Sequence, residues 1–276
     1  MKILVLLTFL AHAHCVVLFN DDSFKIFISG TKGKLTKQKL TTKKNVEYLD
    51  ISSSTVEAIE PDSFCAVPNL KALYMNANAH FPKITKQLFQ CTPKISFITV
   101  DAYLESNQEF DRDAFTGLKE LNFLRLNDIN IGRLGKDMFE GVVNLEILNL
   151  VNCKISEIDS DTFSTMPTLD KLDLGHNLLK AFKPGTFQNL PKLTELMLNK
   201  NNIEEIKWEQ WSPLQSLKSL DFGDNPLVVC DVTKIKDYFP NINRCNLGEG
   251  FNASQQAAFI EESKKYNLTL TFMNYY

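Results

Sequence analysis

The sequence predicts a solenoid of the α/β class, about eight stacked coils long, and two observations carry that expectation. The phrase apolar-x-x-apolar-x-apolar recurs along most of the 276 residues. An aromatic residue stands six positions before each recurrence after the first. Two independent columns in one register mark a single supersecondary unit repeated end to end, a unit too small to bury its own apolar face.

At the N-terminus, residues 1–13 read as a signal peptide. Lys2 supplies the basic start, Ile3 to Leu10 the apolar run and Ala11-His12-Ala13 a small-x-small cleavage site. A membrane helix needs about 20 apolar residues, so this run is too short to anchor the chain. No later run is long enough, and a lipid-anchor tail is not evident. The expectation is soluble export into an oxidising compartment. Lys25, Lys32, Lys34, Lys37, Lys39, Lys43 and Lys44 follow without an intervening acid. They suit either attachment to acidic glycans or a solvated loop that keeps this end soluble.

Residues 46–224 hold the repeats. They start at Val46, Leu70, Ile95, Leu121, Leu145, Leu169, Leu193 and Leu217, and the aromatic column runs Phe64, Phe89, Phe115, Phe139, Phe163, Phe187 and Trp211. This pattern resembles the extracellular leucine-rich-repeat family, whose unit reads L-x-x-L-x-L-x-x-N-x-L. The resemblance implies a curved horseshoe with a parallel β-sheet on its concave side and a phenylalanine spine under the convex arm. At the ninth position the family's Asn bonds turn backbone. Asn78, Asn177, Asn201 and Asn225 keep it, whereas Ser54, Tyr103, Ile129 and Cys153 depart from it. Irregular turns are therefore expected in the first half.

Cys65 and Cys91 follow the spine residues of adjacent coils and are expected to form a disulfide. Cys153, at the ninth position where the family also tolerates Cys, reads as a buried free thiol. The resemblance further implies a reduced C-terminal cap over 225–245, starting at Asn225-Pro226 and bridged by Cys230 and Cys245. The family's N-terminal cap is missing, and residues 14–45 take its place with Phe24, Ile26, Phe27 and Ile28. Cys15 is either removed with the signal or left as a thiol able to join two chains. Residues 246–276 read as a helix-and-strand tail with glycosylation sequons at Asn252 and Asn267.

Leucines at positions 1, 4 and 6 of each repeat point inward, so positions 2, 3, 5, 7 and 8 form the outer strand surface. There Tyr48, Tyr74, Phe97, Phe123 and Ile147 make an apolar stripe beside Arg125 and Asn149, while the second half is charged and includes Asp173 and His176. The stripe is either a partner site or core covered by the tail or the N-terminal segment. A net charge of −3 argues against nucleic acid as a partner. No nucleophile elbow, metal-ligand spacing or phosphate loop appears, so no enzyme, metal or cofactor is expected. Among secreted repeat proteins the chain is similar to the short leucine-rich immune proteins of mosquitoes. That implies an innate-immune or complement-like factor binding an extracellular protein or a microbial surface, with dimerisation through Cys15 or the concave face in view. A developmental adhesion protein and a salivary ligand-sequestering protein remain alternatives.

Overall fold

The computed structural model describes residues 4–6, 17–19, 25–27, 32–40, 45–76, 83–102, 111–211 and 213–273. It divides into two compact units, residues 1–130 with 137–145 and residues 131–136 with 146–276. Both are stacks of leucine-rich-repeat coils.

In the first unit five parallel strands add in chain order: β1 (Lys25–Phe27), β2 (Tyr48–Asp50), β3 (Ala72–Tyr74), β4 (Phe97–Asp101) and β5 (Phe123–Asn127). Their register matches equal repeat positions, pairing Tyr48 with Ala72, Ala72 with Phe97 and Phe97 with Phe123. The inward residues Leu49, Leu73, Ile98 and Leu124 are fully buried. Burying three such side chains contributes roughly 5–9 kcal/mol per coil, far less than the cost of ordering its backbone at about 1–2 kcal/mol per residue. Stability must come from stacking. Beneath the arm, Phe64, Phe89 and Phe115 follow one another with ring centroids 6.3 and 6.0 Å apart. Within the segment 14–45, β1 joins the sheet as one more strand in register with β2. Leu4–Leu6 pairs antiparallel with Val17–Phe19. The expected cleavage site, Cys15, Phe24, Ile28, Asn78 and Tyr103 lie outside the described residues.

Among the described residues the second unit contributes six parallel strands to the large sheet: β6 (Ile147–Asn149), β7 (Lys171–Asp173), β8 (Glu195–Met197), β9 (Ser219–Asp221), β10 (Arg244–Asn246) and β11 (Thr269–Thr271). Within this unit Phe163, Phe187 and Trp211 form a spine with ring centroids 6.2 and 5.1 Å apart. Each ninth-position Asn is buried and bonded on both sides of its amide. Asn177 Oδ1 accepts from the Cys153 and Ile155 amides at 2.9 and 3.0 Å. Its Nδ2 donates to the carbonyls of Leu150, Leu174 and Gly175. Asn201 and Asn225 repeat the arrangement one and two coils on. In the first unit buried Ser54 and Ile129 stand where the Asn is lacking. Ahead of Ile129 the ladder itself lengthens: β4 and β5 run five residues each and pair as far as Asp101 with Asn127.

The C-terminal cap is where the structure departs from expectation. Residues 225–245 do not close the stack, because β10 and β11 extend the sheet by two coils. Ile242-x-x-Cys245-x-Leu247 repeats the core phrase 25 residues after Leu217, with Cys245 at a leucine position. The helix α1 (Ala253–Lys264) forms the return arm of this ninth coil, and Asn252 caps it by accepting from the Gln255 amide.

Candidate functional site

The strand face of the first unit brings the predicted aromatic residues together. Parallel register places residues of equal repeat position on adjacent strands about 4.8 Å apart. Tyr74 and Phe97 ring centroids lie 5.2 Å apart, and Phe97 stacks on Phe123 at 4.3 Å with an interplanar angle of 12°. Tyr48, Tyr74, Phe97 and Phe123 are each half-buried, so their outer faces meet solvent. Burial, followed by the nearby Tyr48 and Asp50, holds the Tyr74 hydroxyl above its usual pKa.

Two ion pairs stand beside this platform. Lys71 Nζ lies 2.9 Å from Glu47, whose hydrogen bond and charge raise the lysine pKa. Arg125, expected as a contact residue, has its Nε 3.0 Å from an Asp101 carboxylate oxygen. Burial raises the Asp101 pKa against the opposing pull of Arg125. An apolar surface with its charges already paired suits contact with another apolar surface better than contact with a polyion.

The predicted residues of the second unit take other roles. Ile147 is half-buried on β6. Asn149 Oδ1 accepts from the Val151 amide and its Nδ2 donates to Asp173, while Asp173 accepts from the Gly175 amide at 3.0 Å. Asp50, Asp221 and Asn246 fold back on the amide two residues ahead in the same way. Where position 5 is Asp or Asn, it thus shapes the turn that ends the strand. His176 lies beyond β7, exposed in a turn at φ +56°. Ser53, Asp128, Asn152, Lys200 and Asp224, the same position in other repeats, share this left-handed backbone with φ between 52° and 61°. Position 8 therefore leaves the strand surface, contrary to the sequence reading. The reason is that the chain must reverse there to reach the ninth-position Asn. Alternation alone carries no signal for this, although Asn, Asp and Gly at positions 5 to 8 do. The sequence reading also missed a polar groove of about 540 Å3 along the strand starts, lined by Glu146, Asp170, Lys192, Thr194 and Lys218 among others.

Cys65 and Cys91 are bonded, with Cα atoms 4.8 Å apart. Cys153 is a buried free thiol. The expected bridge between Cys230 and Cys245 is not formed, since both thiols are free. Cys245 is committed to the core column of β10, at 2 % exposure. Burial, then Asp231, pushes the Cys230 pKa up to about 12, and burial, followed by the neighbouring Cys230 and Asp221, raises Cys245. Asn252 and Asn267 are both exposed. Among the described residues no helix is long and apolar enough to cross a membrane.

Comparison with known proteins places this geometry. The leucine rich repeat family profile matches residues 124–179, 143–198 and 167–227. The BspA type leucine rich repeat region profile matches residues 28–122. No curated protein matches by sequence. Among solved structures, TLR13 in its ssRNA13 complex is similar with TM-score 0.71 and 27% identity over 86% of this chain and 33% of that one. Toll of Drosophila, in its Spatzle complex, gives 0.71 and 17% over 91% and 34%. The APL1 leucine-rich repeat domain gives 0.67 and 19% over 89% and 60%. The chain thus spans about a third of the two receptor chains, and the two likenesses below 20% identity speak to fold alone.

Proposed function

The chain belongs to the leucine-rich repeat family, and from that premise we propose that it is an exported binding protein whose first-unit strand face docks a protein partner in innate-immune recognition. The observation that carries this reading is the half-exposed stack of Tyr74, Phe97 and Phe123, with Tyr48 beside it. Aromatic residues dominate the energetics of protein interfaces when a partner excludes water from them. The ion pairs Glu47–Lys71 and Asp101–Arg125 leave little uncompensated charge for a polyanion to use. The net charge of −3 points the same way, because nucleic-acid affinity rests on neutralising phosphates. Export is supported by the composition of residues 1–13 and by the disulfide. The Toll–Spatzle complex is a hub of both development and innate immunity in Drosophila, so a developmental role is the second reading.

The test uses the protein as bait in native extracellular fluid, as wild type and as the double variant Phe97→Ser with Phe123→Ser. Loss of a partner from a folded double variant is the expected outcome. Retention of every partner would move the binding surface elsewhere, and expression confined to developing tissue rather than rising on microbial challenge would favour the second reading.

A further inference from the structure

β4 and β5 run two residues longer than β1 to β3, and the extra length carries the outer strand face beyond the aromatic rings. Side chains two apart on a strand share a face. On β4 that row is Phe97, Thr99 and Asp101, and on β5 it is Phe123, Arg125 and Asn127, each paired in register with its counterpart. Tyr74 of β3 pairs with Thr99 from the other side. The aromatic platform therefore runs into a polar notch, with Thr99 as its floor and Tyr74 and Arg125 as its walls. Polar atoms of this notch are left over. Thr99 is 6 % exposed and its Oγ1 has no hydrogen-bond partner. Asp101 Oδ1 and Arg125 Nε are also buried without a hydrogen bond, so across their 3.0 Å they attract without the alignment of one. Buried polar groups are normally bonded, and three exceptions in one place call for a reason.

Charge says what the notch would take. Across β2 to β5 and the residue on either side of each strand, Glu47, Asp50, Asp101 and Asp128 stand against Lys71 and Arg125, a net negative surface. Burial, above all, raises the Asp101 pKa, and Asp128 adds to it against the pull of Arg125, so this carboxylate has less positive charge beside it than it could use. We propose that the notch at Thr99 and Asp101 receives a lysine side chain of the protein partner, and that this one lysine, set in an apolar contact surface, selects which partner the platform accepts. The inference rests on the docking reading above and gives that partner its chemistry. The lysine stem lies along the rings of Phe97 and Phe123, and the ammonium gains from their faces and edges as it passes. Its three N–H groups supply the donors that Thr99 Oγ1 and Asp101 Oδ1 lack. Arg125, with its side chain 44 % exposed and no aligned bond to Asp101, is the wall that yields. Lysine suits the notch better than arginine because the two acceptors come from residues about 6.6 Å apart along β4, whereas a guanidinium fork matches the two oxygens of one carboxylate.

The probe is a fluorescein-labelled peptide, Trp-Leu-Lys-Leu-Trp amide, with a twin in which norleucine replaces the lysine, titrated against the full chain by fluorescence polarisation. The expected result is binding of the lysine form roughly tenfold tighter than the norleucine form, the worth of a hydrogen bond to a charged group. Thr99→Val, which keeps the shape and removes the hydroxyl, and Asp101→Asn each bring that ratio close to one. Phe97→Ser with Phe123→Ser weakens both forms. In urea, Thr99→Val leaves the unfolding midpoint where it was or raises it, because the hydroxyl it removes has no partner in the free protein. Equal binding of the two forms to the wild type, with both lost from the folded double variant, overturns the lysine proposal and leaves the docking reading standing. Undiminished binding to the double variant overturns both. Absence of binding by either form up to millimolar peptide, a Thr99→Val protein that keeps the tenfold ratio, or one whose midpoint falls, overturns the proposal alone.

Discussion

Replacing Asn177 with Ala removes a side chain that is 4 % exposed and bonded at both ends of its amide. Two buried N–H groups, of Cys153 and Ile155, lose their acceptor, and the carbonyls of Leu150, Leu174 and Gly175 lose a donor. A buried group left unsatisfied costs about 1–3 kcal/mol. The two amides alone put the loss at roughly 2–6 kcal/mol, since carbonyls with other partners add less. The alanine cavity is polar, and a water entering it would recover part of the loss, so about 3 kcal/mol is the expected value. Urea unfolding followed by far-ultraviolet circular dichroism, read as a midpoint shift at constant slope, measures it. A loss below about 1 kcal/mol, the net worth of one ordinary hydrogen bond, would refute the argument that the amide ladder joins the coils.

Gly223→Ala should also destabilise, because an added Cβ would lie 2.9 Å from the Met273 carbonyl and 2.6 Å from Asn246 Nδ2, and a lowered unfolding midpoint checks it. Alkylation with peptide mapping should find Cys153, Cys230 and Cys245 protected in the native protein at pH 8 and all modified in urea without reductant, whereas a bridged Cys230–Cys245 pair would leave only Cys153 reactive. Burial raises the Asp159 pKa, but hydrogen bonds from Arg133 and Lys183 outweigh it and hold the carboxylate low. A group depressed in the folded state adds stability above its unfolded pKa of about 3.9 and loses it as pH falls through the lower folded value. Asp159→Asn should therefore flatten acid unfolding slightly below pH 4, an effect weakened by salt because Arg133 and Lys183 are exposed.

The sequence made the coils legible because two columns, leucine and phenylalanine, are written at fixed spacing and both are core. Register followed, and with it the alignment of Tyr48, Phe97 and Phe123 across neighbouring strands. The ends were harder to read. Cys245 took the place of a leucine, and Cys230 near Asn225-Pro226 invited a disulfide with it when the Cys245 side chain was needed as an apolar filler. His176 was misplaced for another reason. Alternation assigns a face to every residue, but a strand of three residues ends before positions 7 and 8, and polar residues there serve turn geometry. Paired charges such as Asp101 with Arg125 lie 24 residues apart in the chain, and no local signal joins them.

Hydrogen exchange on the protein, alone and with its captured partner, reads the docking face itself. Exchange should slow at the amides of Tyr48–Asp50, Ala72–Tyr74, Phe97–Asp101 and Phe123–Asn127, with the arms of both units unchanged. Protection confined to the second unit or to α1 and β11, with those four strands exchanging as in the free protein, would contradict it.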